Sequence, residues 1–370
     1  MKRAYVVRKG AFGDTVHASH LPRILYEEGY EVTFEYNWKG AQILSYNPYI
    51  KHHVFAEPTK KELSNDSETN LKTYKKQIQI KREYDKFIDL NASLEGALIS
   101  DEKSHKYFMP KKWRNEKFGD ICFYDQTVKW AGLSDKYYGR VGEIYFRKKE
   151  HERMIELFTP IWDRGKRILM WSIAGTMWQK AIYPWSKEVC DEFQRRHPDV
   201  VVIVTAGEEY AKHAWGIPIY QDGWQEANAI NVVGKWPFRQ ALLATKYIDM
   251  LVTPETGIGI GAGTYGTPKM MLMTAASVKN IVGNDKNDFS IQSEAWCSPC
   301  HRAIYNMDIC DTVELNGNVS SSIKEMGTEK KLPICVFFDK ERVLHQMEKM
   351  YEVCCLRERP AASLSRPVYM

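Results

Sequence analysis

Two passages far apart in the chain share one grammar: an apolar run, a break of small residues, then the opening of a helix. The first goes from Tyr5-Val6-Val7 through Arg8-Lys9-Gly10-Ala11-Phe12-Gly13-Asp14 into His17-Ala18-Ser19-His20-Leu21, with Pro22 as its stop. The second goes from Tyr247-Ile248-Asp249-Met250-Leu251-Val252 through Thr253-Pro254-Glu255-Thr256 into Gly257-Ile258-Gly259-Ile260-Gly261-Ala262-Gly263. Short β-branched and aromatic runs of this kind suit strands buried on both faces, the condition of a parallel sheet. Parallel neighbours need helical crossovers, so a recurring strand–loop–helix passage confines the chain to layered α/β architectures. Neither passage has the spacing of a dinucleotide fingerprint or a P-loop.

The rest of the chain fits the same scheme. Glu31–Tyr36, His53–Phe55 and Phe87–Leu90 read as strands of a first half, with Asn91-Ala92-Ser93 at a carboxyl end. Lys60 to Arg82 is lysine-rich and reads as a surface excursion ending in some helix, while Lys103 to Lys117 mixes basic and aromatic residues. A charged helix opening at Arg147-Lys148-Lys149-Glu150 leads to a second half. There Arg167–Ser172, Val200–Val204 and Lys269–Met273 read as strands, and Ser186–Arg196 and Arg239–Thr245 as helices. Ala174-Gly175-Thr176 is a further small-residue loop. Lys340 to Tyr351 closes as a helix with Val343, Leu344, Met347 and Met350 on one face, before a tail from Arg359 to Met370. With 370 residues the chain exceeds the size of one core, so two Rossmann-like domains are expected.

Composition narrows the function classes. An apolar content of 44% and a charged content of 27% are those of a globular protein. No apolar run approaches a membrane span, and Met1-Lys2-Arg3 leads straight into a strand rather than a signal peptide. A cytoplasmic location is expected on this reading, with a place at the membrane periphery as the alternative. A net charge of +5 admits an anionic partner without requiring nucleic acid. Eight cysteines in such a setting suggest thiols or a metal before disulfides. Cys297-Ser298-Pro299-Cys300, followed by Cys310 and Cys335, admits a structural zinc, but its later spacings are irregular and buried free thiols are preferred.

Four stretches together resemble glycosyltransferase family 9, the ADP-heptose:lipopolysaccharide heptosyltransferases and their relatives. They are Arg8 to Asp14 with Leu21-Pro22; Ser172 to Lys180 with Trp185 and Phe193; Pro254-Glu255-Thr256-Gly257; and the cysteine set. The resemblance implies the α/β GT-B fold, two Rossmann-like domains facing a central cleft. It implies an acceptor-binding domain over 1–155, a nucleotide-sugar-binding domain over 160–338, and a closing helix and tail over 339–370 able to cross back to the first domain. It also implies Asp14 as the catalytic base and Lys180 as a contact of the donor diphosphate. Glu255 stands where the family has an aspartate, and Ile260 where heptosyltransferases have a histidine, so the donor sugar is left open.

Inverting glycosyl transfer needs a base for the acceptor hydroxyl and a counter-charge for the departing diphosphate. Asp14 suits the first; without that role it is a helix cap. Lys180, with the backbone of Thr256 and Gly257, suits the second, and Glu255 could accept from donor-sugar hydroxyls. Gly13 shapes the first loop, and Arg8 and Lys9 could meet an anionic acceptor. The expected activity is that of an inverting, metal-independent hexosyl- or heptosyltransferase that needs no cofactor. Its donor is a nucleotide-diphosphate sugar, and its acceptor a phosphorylated or acidic carbohydrate, such as a lipopolysaccharide-type saccharide. Competing readings are transfer to a hydroxylated base in DNA, a non-catalytic nucleotide-sugar-binding protein, and an epimerase of the same architecture.

Overall fold

The computed structural model describes residues 1–56, 78–91, 108–119, 121–175, 177, 183–213, 228–302, 310–314 and 331–356. The chain divides into two compact units, Met1–Gly96 with Ile121–Tyr145, and Ala97–Asp120 with Phe146–Met370. The polypeptide therefore passes between units three times.

In the first unit, strands β1 (Lys2–Arg8), β2 (Tyr30–Tyr36), β3 (Ile50–Phe55) and β4 (Lys86–Asp89) form a parallel sheet ordered β3-β2-β1-β4. Helices α1 (Phe12–Ala18) and α2 (Leu21–Glu27) follow β1, α3 (Trp38–Leu44) follows β2, and residues 78–83 form α4 before β4. The sequence suggests a single helix from Asp14 to Pro22; there are two instead. Pro22 stands in the first turn of α2, where its missing N–H costs nothing. The break falls at Ser19, whose hydroxyl donates back to the Val16 carbonyl (2.8 Å) and accepts from the Glu143 N–H (2.9 Å). Leu21, Ile24, Leu25, Phe34 and Ile43 are fully buried around the sheet.

Helix α5 (Lys111–Phe118) belongs to the second unit, although the helix after it, α6 (Phe123–Trp130), belongs to the first. The second unit continues with α7 (Lys148–Asp163), β5 (Arg167–Ser172), α8 (Ser186–Arg196), β6 (Val200–Thr205), β7 (Ala229–Asn231), α9 (Phe238–Ala244), β8 (Met250–Pro254), α10 (Gly257–Gly263), β9 (Lys269–Met273), α11 (Val278–Val282) and β10 (Ile291–Gln292). Its six strands are all parallel, in the order β10-β9-β8-β5-β6-β7. Strands β11 (Thr312–Glu314) and β12 (Lys331–Pro333) pair separately and antiparallel. The closing helix, Lys340–Leu356, packs Val343, Leu344, Met347 and Met350 into the core built on Leu169, Val202, Val252 and Met270, so its apolar face is used within the second unit. Among the described residues no helix is long and apolar enough to cross a membrane.

Both sheets run outward in opposite directions from their first strand, β1 and β5, which is the doubly wound Rossmann order. In such sheets ligands bind outside the carboxyl ends of the strands where the winding reverses. That position lies between β1 and β4 in the first unit, and between β5 and β8 in the second. The two glycine-containing passages, Lys9 to Asp14 and Glu255 to Gly263, follow β1 and β8.

Candidate active site

At the first switch point β1 ends on Arg8, a wholly buried guanidinium. Its Nη2 lies 3.0 Å from Asp14 Oδ2, and its Nη1 donates to the Leu90 carbonyl just past β4. Asp14 is the third residue of α1 rather than its N-cap, and its Oδ2 also accepts the Ala11 N–H at 2.8 Å. Gly10 makes this possible, since a Cβ there would lie 2.5 Å from Asp14 Oδ2 and 3.0 Å from Arg8 Nε. Gly13 is the second residue of the same helix. Asp14 is thus held through one oxygen, and Oδ1 makes no bond with any described residue. The carboxylate is about one-third exposed.

Arg8 and Lys9 are expected near an anionic acceptor, and the structure engages both internally. Lys9 Nζ pairs with buried Glu35 at 2.9 Å, whose other oxygen accepts from the Tyr5 hydroxyl at 2.7 Å. The Lys9 N–H donates to Asn91 Oδ1 at 2.8 Å, joining the loops after β1 and β4. Ala92 and Ser93, the rest of that expected lining, lie outside the described residues.

At the second switch point, Glu255 directly follows β8 and is buried. Its Oε2 accepts the backbone N–H groups of Ala275 and Ala276 at 3.2 and 3.3 Å, which fixes the loop leaving β9. Thr256 is the N-cap of α10: its Oγ1 accepts from the Gly259 N–H at 3.3 Å and lies 2.8 Å from Thr253 Oγ1. Gly257 opens that helix. Gly259 serves packing, since a Cβ would come within 2.7 Å of Thr253 Cγ2 and 2.9 Å of Met271 Cε. A cavity of about 10 Å³, room for a single water, lies at these strand ends between Trp171, Pro254, Thr274 and Phe338. Lys180 lies outside the described residues.

His301 enters this region without a sequence signal beyond its place beside Cys300. It adopts a positive φ of 52°, and its N–H donates to the Ala275 carbonyl at 2.7 Å, on the loop that Glu255 holds. The imidazole is fully buried with neither nitrogen bonded to a described residue. Burial, helped by the charge of Arg114, lowers its pKa to about 4, so the ring is neutral. Helix α5 supports the same stretch: Lys111 donates to the carbonyls of Trp296 (2.7 Å) and Ser298 (2.6 Å), and Arg114 to that of Cys300 (2.7 Å). These two members of the basic segment are therefore internal. In the two basic stretches Lys60 to Arg82 and Lys103 to Lys117, residues Lys72, Lys75, Lys76, Lys103 and Lys106 lie outside the described residues, whereas Lys81 and Lys112 are described.

Cys297, Cys300, Cys310 and Cys335 are free thiols. Burial, with the nearby thiols of the same set, pushes Cys310 up to about 12 and raises Cys335, and burial raises Cys297. Among the described residues no group of three or more histidine, cysteine or acidic side chains is arranged to hold a metal ion.

No family model and no curated protein matches the chain. Solved structures do. A glycosyltransferase of family 9 from Veillonella parvula aligns over 95% of this chain and 97% of its own, with a TM-score of 0.60 at 14% identity. The ADP-heptose lipopolysaccharide heptosyltransferase II of E. coli aligns over 95% and 99%, with a TM-score of 0.57 at 12% identity. The dodecameric iron-containing heptosyltransferase TibC of enterotoxigenic E. coli, in complex with ADP-D-β-D-heptose, aligns over 95% and 77%, with a TM-score of 0.52 at 8% identity. The fold of this chain is that of the GT-B glycosyltransferases, in the form similar to family 9 and the ADP-heptose heptosyltransferases.

Proposed function

We propose that the protein is an inverting glycosyltransferase, moving a sugar from a nucleotide-diphosphate donor to a hydroxyl of an acidic or phosphorylated carbohydrate. The observation that carries this reading is the Asp14 carboxylate, held at the first switch point through Oδ2 alone. Arg8 is anchored on the Leu90 carbonyl and holds Asp14 through Oδ2, and the carboxylate is about one-third exposed. An acceptor hydroxyl at Oδ1 passes its proton to the carboxylate as its oxygen bonds to the anomeric carbon. The bond to the diphosphate oxygen breaks on the opposite side, which inverts the centre. The second unit receives the donor in this reading. Lys180 and the backbone after Thr256 carry the leaving diphosphate, no metal or other cofactor is needed, and Glu255 keeps the donor loop in shape through Ala275 and Ala276.

Asp14→Asn tests the assignment. The amide cannot take the proton but can still accept from the Ala11 N–H; because it also removes the charge that faces buried Arg8, the melting temperature and donor binding of the variant are measured beside its turnover. Turnover should fall about 10²-fold or more if the residue is the base. Wild-type turnover in this variant, measured with a donor found by screening nucleotide sugars for thermal protection, would leave Asp14 a capping role only. The DNA-modifying reading is the weaker one, since Lys111 and Arg114 are spent on backbone carbonyls.

A further inference from the structure

Two residues before Asp14 in the chain, half-buried Phe12 meets the exposed ring of Trp38, with a cation near both rings. Phe12 is the first residue of α1 and Trp38 the first of α3. Asn37 ties the two helix starts together: its Oδ1 accepts from the Gly40 N–H at 3.0 Å, and its Nδ2 donates to the Gly10 carbonyl at 3.2 Å. The indole of Trp38 is 56% exposed and meets the Phe12 ring edge-on, 5.6 Å between centroids at 87°. Lys39 Nζ stands 5.6 Å from the Trp38 centroid and 6.0 Å from that of Phe12.

Single exposed aromatics are ordinary, and this pair differs from the others in three respects. Trp130 and Trp296, also exposed, each donate their indole N–H, to the Asp89 carbonyl and to Asp311. The Trp38 indole N–H donates to no described residue. Lys39 is also the cation beside the loop that no described carboxylate pairs with, whereas Arg8 and Lys9 are taken by Asp14 and Glu35. Finally, the side chain of Asn37 ties the start of α3 to the Gly10 carbonyl, in the loop that precedes Phe12 and Asp14.

We propose that Phe12, Trp38 and Lys39 form the acceptor subsite, which takes a pyranose ring bearing a carboxylate or phosphate. A flat indole suits the C–H face of a sugar ring, and a cation held on the rings supplies a partner for the anionic substituent. This rests on the proposed transferase reading, and extends it by assigning the anion to Lys39 instead of Arg8 or Lys9.

The test is binding without donor or turnover, which separates it from the role of Asp14. Saturation-transfer NMR and competition titrations use methyl glucuronide, glucose 6-phosphate and neutral methyl glucoside, with an oligothymidine as the nucleic-acid arm. The wild type should bind both charged sugars, and the neutral one about fivefold more weakly. Which charged sugar binds tighter identifies the substituent as carboxylate or phosphate. Trp38→Ala should weaken all sugars about tenfold or more. Lys39→Gln should weaken only the charged ones, to the level of the glucoside. Both residues lie at the surface, and an unchanged melting temperature confirms the fold of each variant. No saturable sugar binding by the wild type, or binding unaffected by Trp38→Ala, overturns the subsite. So does oligothymidine binding tighter than that of any sugar and lost in Trp38→Ala, which would make the rings a base-stacking platform.

Discussion

His20 precedes α2 with its imidazole almost wholly buried against Tyr124 and both ring nitrogens unpaired among the described residues. Burial lowers its pKa to about 3, and it lowers those of His301 and His151 to about 4. Each folded value lies below the unfolded one near 6.5, so the stability these residues contribute is complete above that pH. It is lost as pH falls toward the folded values, at about 1.4 kcal/mol per pH unit for each proton taken up. Asp285, pushed up to about 6 by its burial, works in the opposite sense as pH falls from about 6 toward 4. His20 makes no side-chain capping bond, so its polar atoms can be removed at small cost. His20→Leu should preserve stability at neutral pH and reduce the acid slope by about one proton. Urea titrations at several pH values from 7.5 to 5 check this, and parallel slopes in variant and wild type would refute it. The same scale shows what a sequence conceals. Arg8 beside a glycine loop reads as a contact for an anionic acceptor, yet it is buried against a carboxylate six residues on and the carbonyl of Leu90.

Among the elements, β9 carries the least expected residue, Lys269, buried in the sheet with its ammonium 2.9 Å from Asp285 and 3.0 Å from Asp288. The Asp285 carboxylate occupies space against α10 that only a glycine at 263 leaves open. Lys269→Met should therefore destabilise by about 3–5 kcal/mol, since it strands a buried charge, whereas the pair Lys269→Met with Asp285→Leu should recover much of the loss. Chemical denaturation of the two variants decides it; equal losses would mean that the ion pair does not govern this packing. Elements whose cause is local were legible. Arg167–Ser172, Ser186–Arg196 and Lys269–Met273 stand where composition and periodicity put them. The division of α1 from α2 was not, since it depends on Ser19 meeting Glu143. For the candidate site, the loop positions were legible because glycine and strand patterns mark them, but Trp38, Lys39 and His301 needed neighbours from other elements.

For the molecule as a whole, the net charge of +5 and the internal use of Lys111 and Arg114 bear on partners. A groove that neutralised six phosphates would lose about 10³-fold in duplex affinity between low and moderate salt. We expect weak DNA binding with a shallow slope of about one or two, measured by fluorescence anisotropy across a salt series; a slope of five or more would restore DNA as the acceptor. The placement of α5 has a further result, in the order in which the chain is made. Its Lys111 and Arg114 await carbonyls 185 to 187 residues later, at Trp296, Ser298 and Cys300. At about 5–20 residues per second, this leaves the helix without its partners for about 10–40 s of synthesis. The first unit's sequence has by then long emerged, with that unattached insert between its parts, so the nascent chain carries a cationic segment without its partners while 185 to 187 further residues are added.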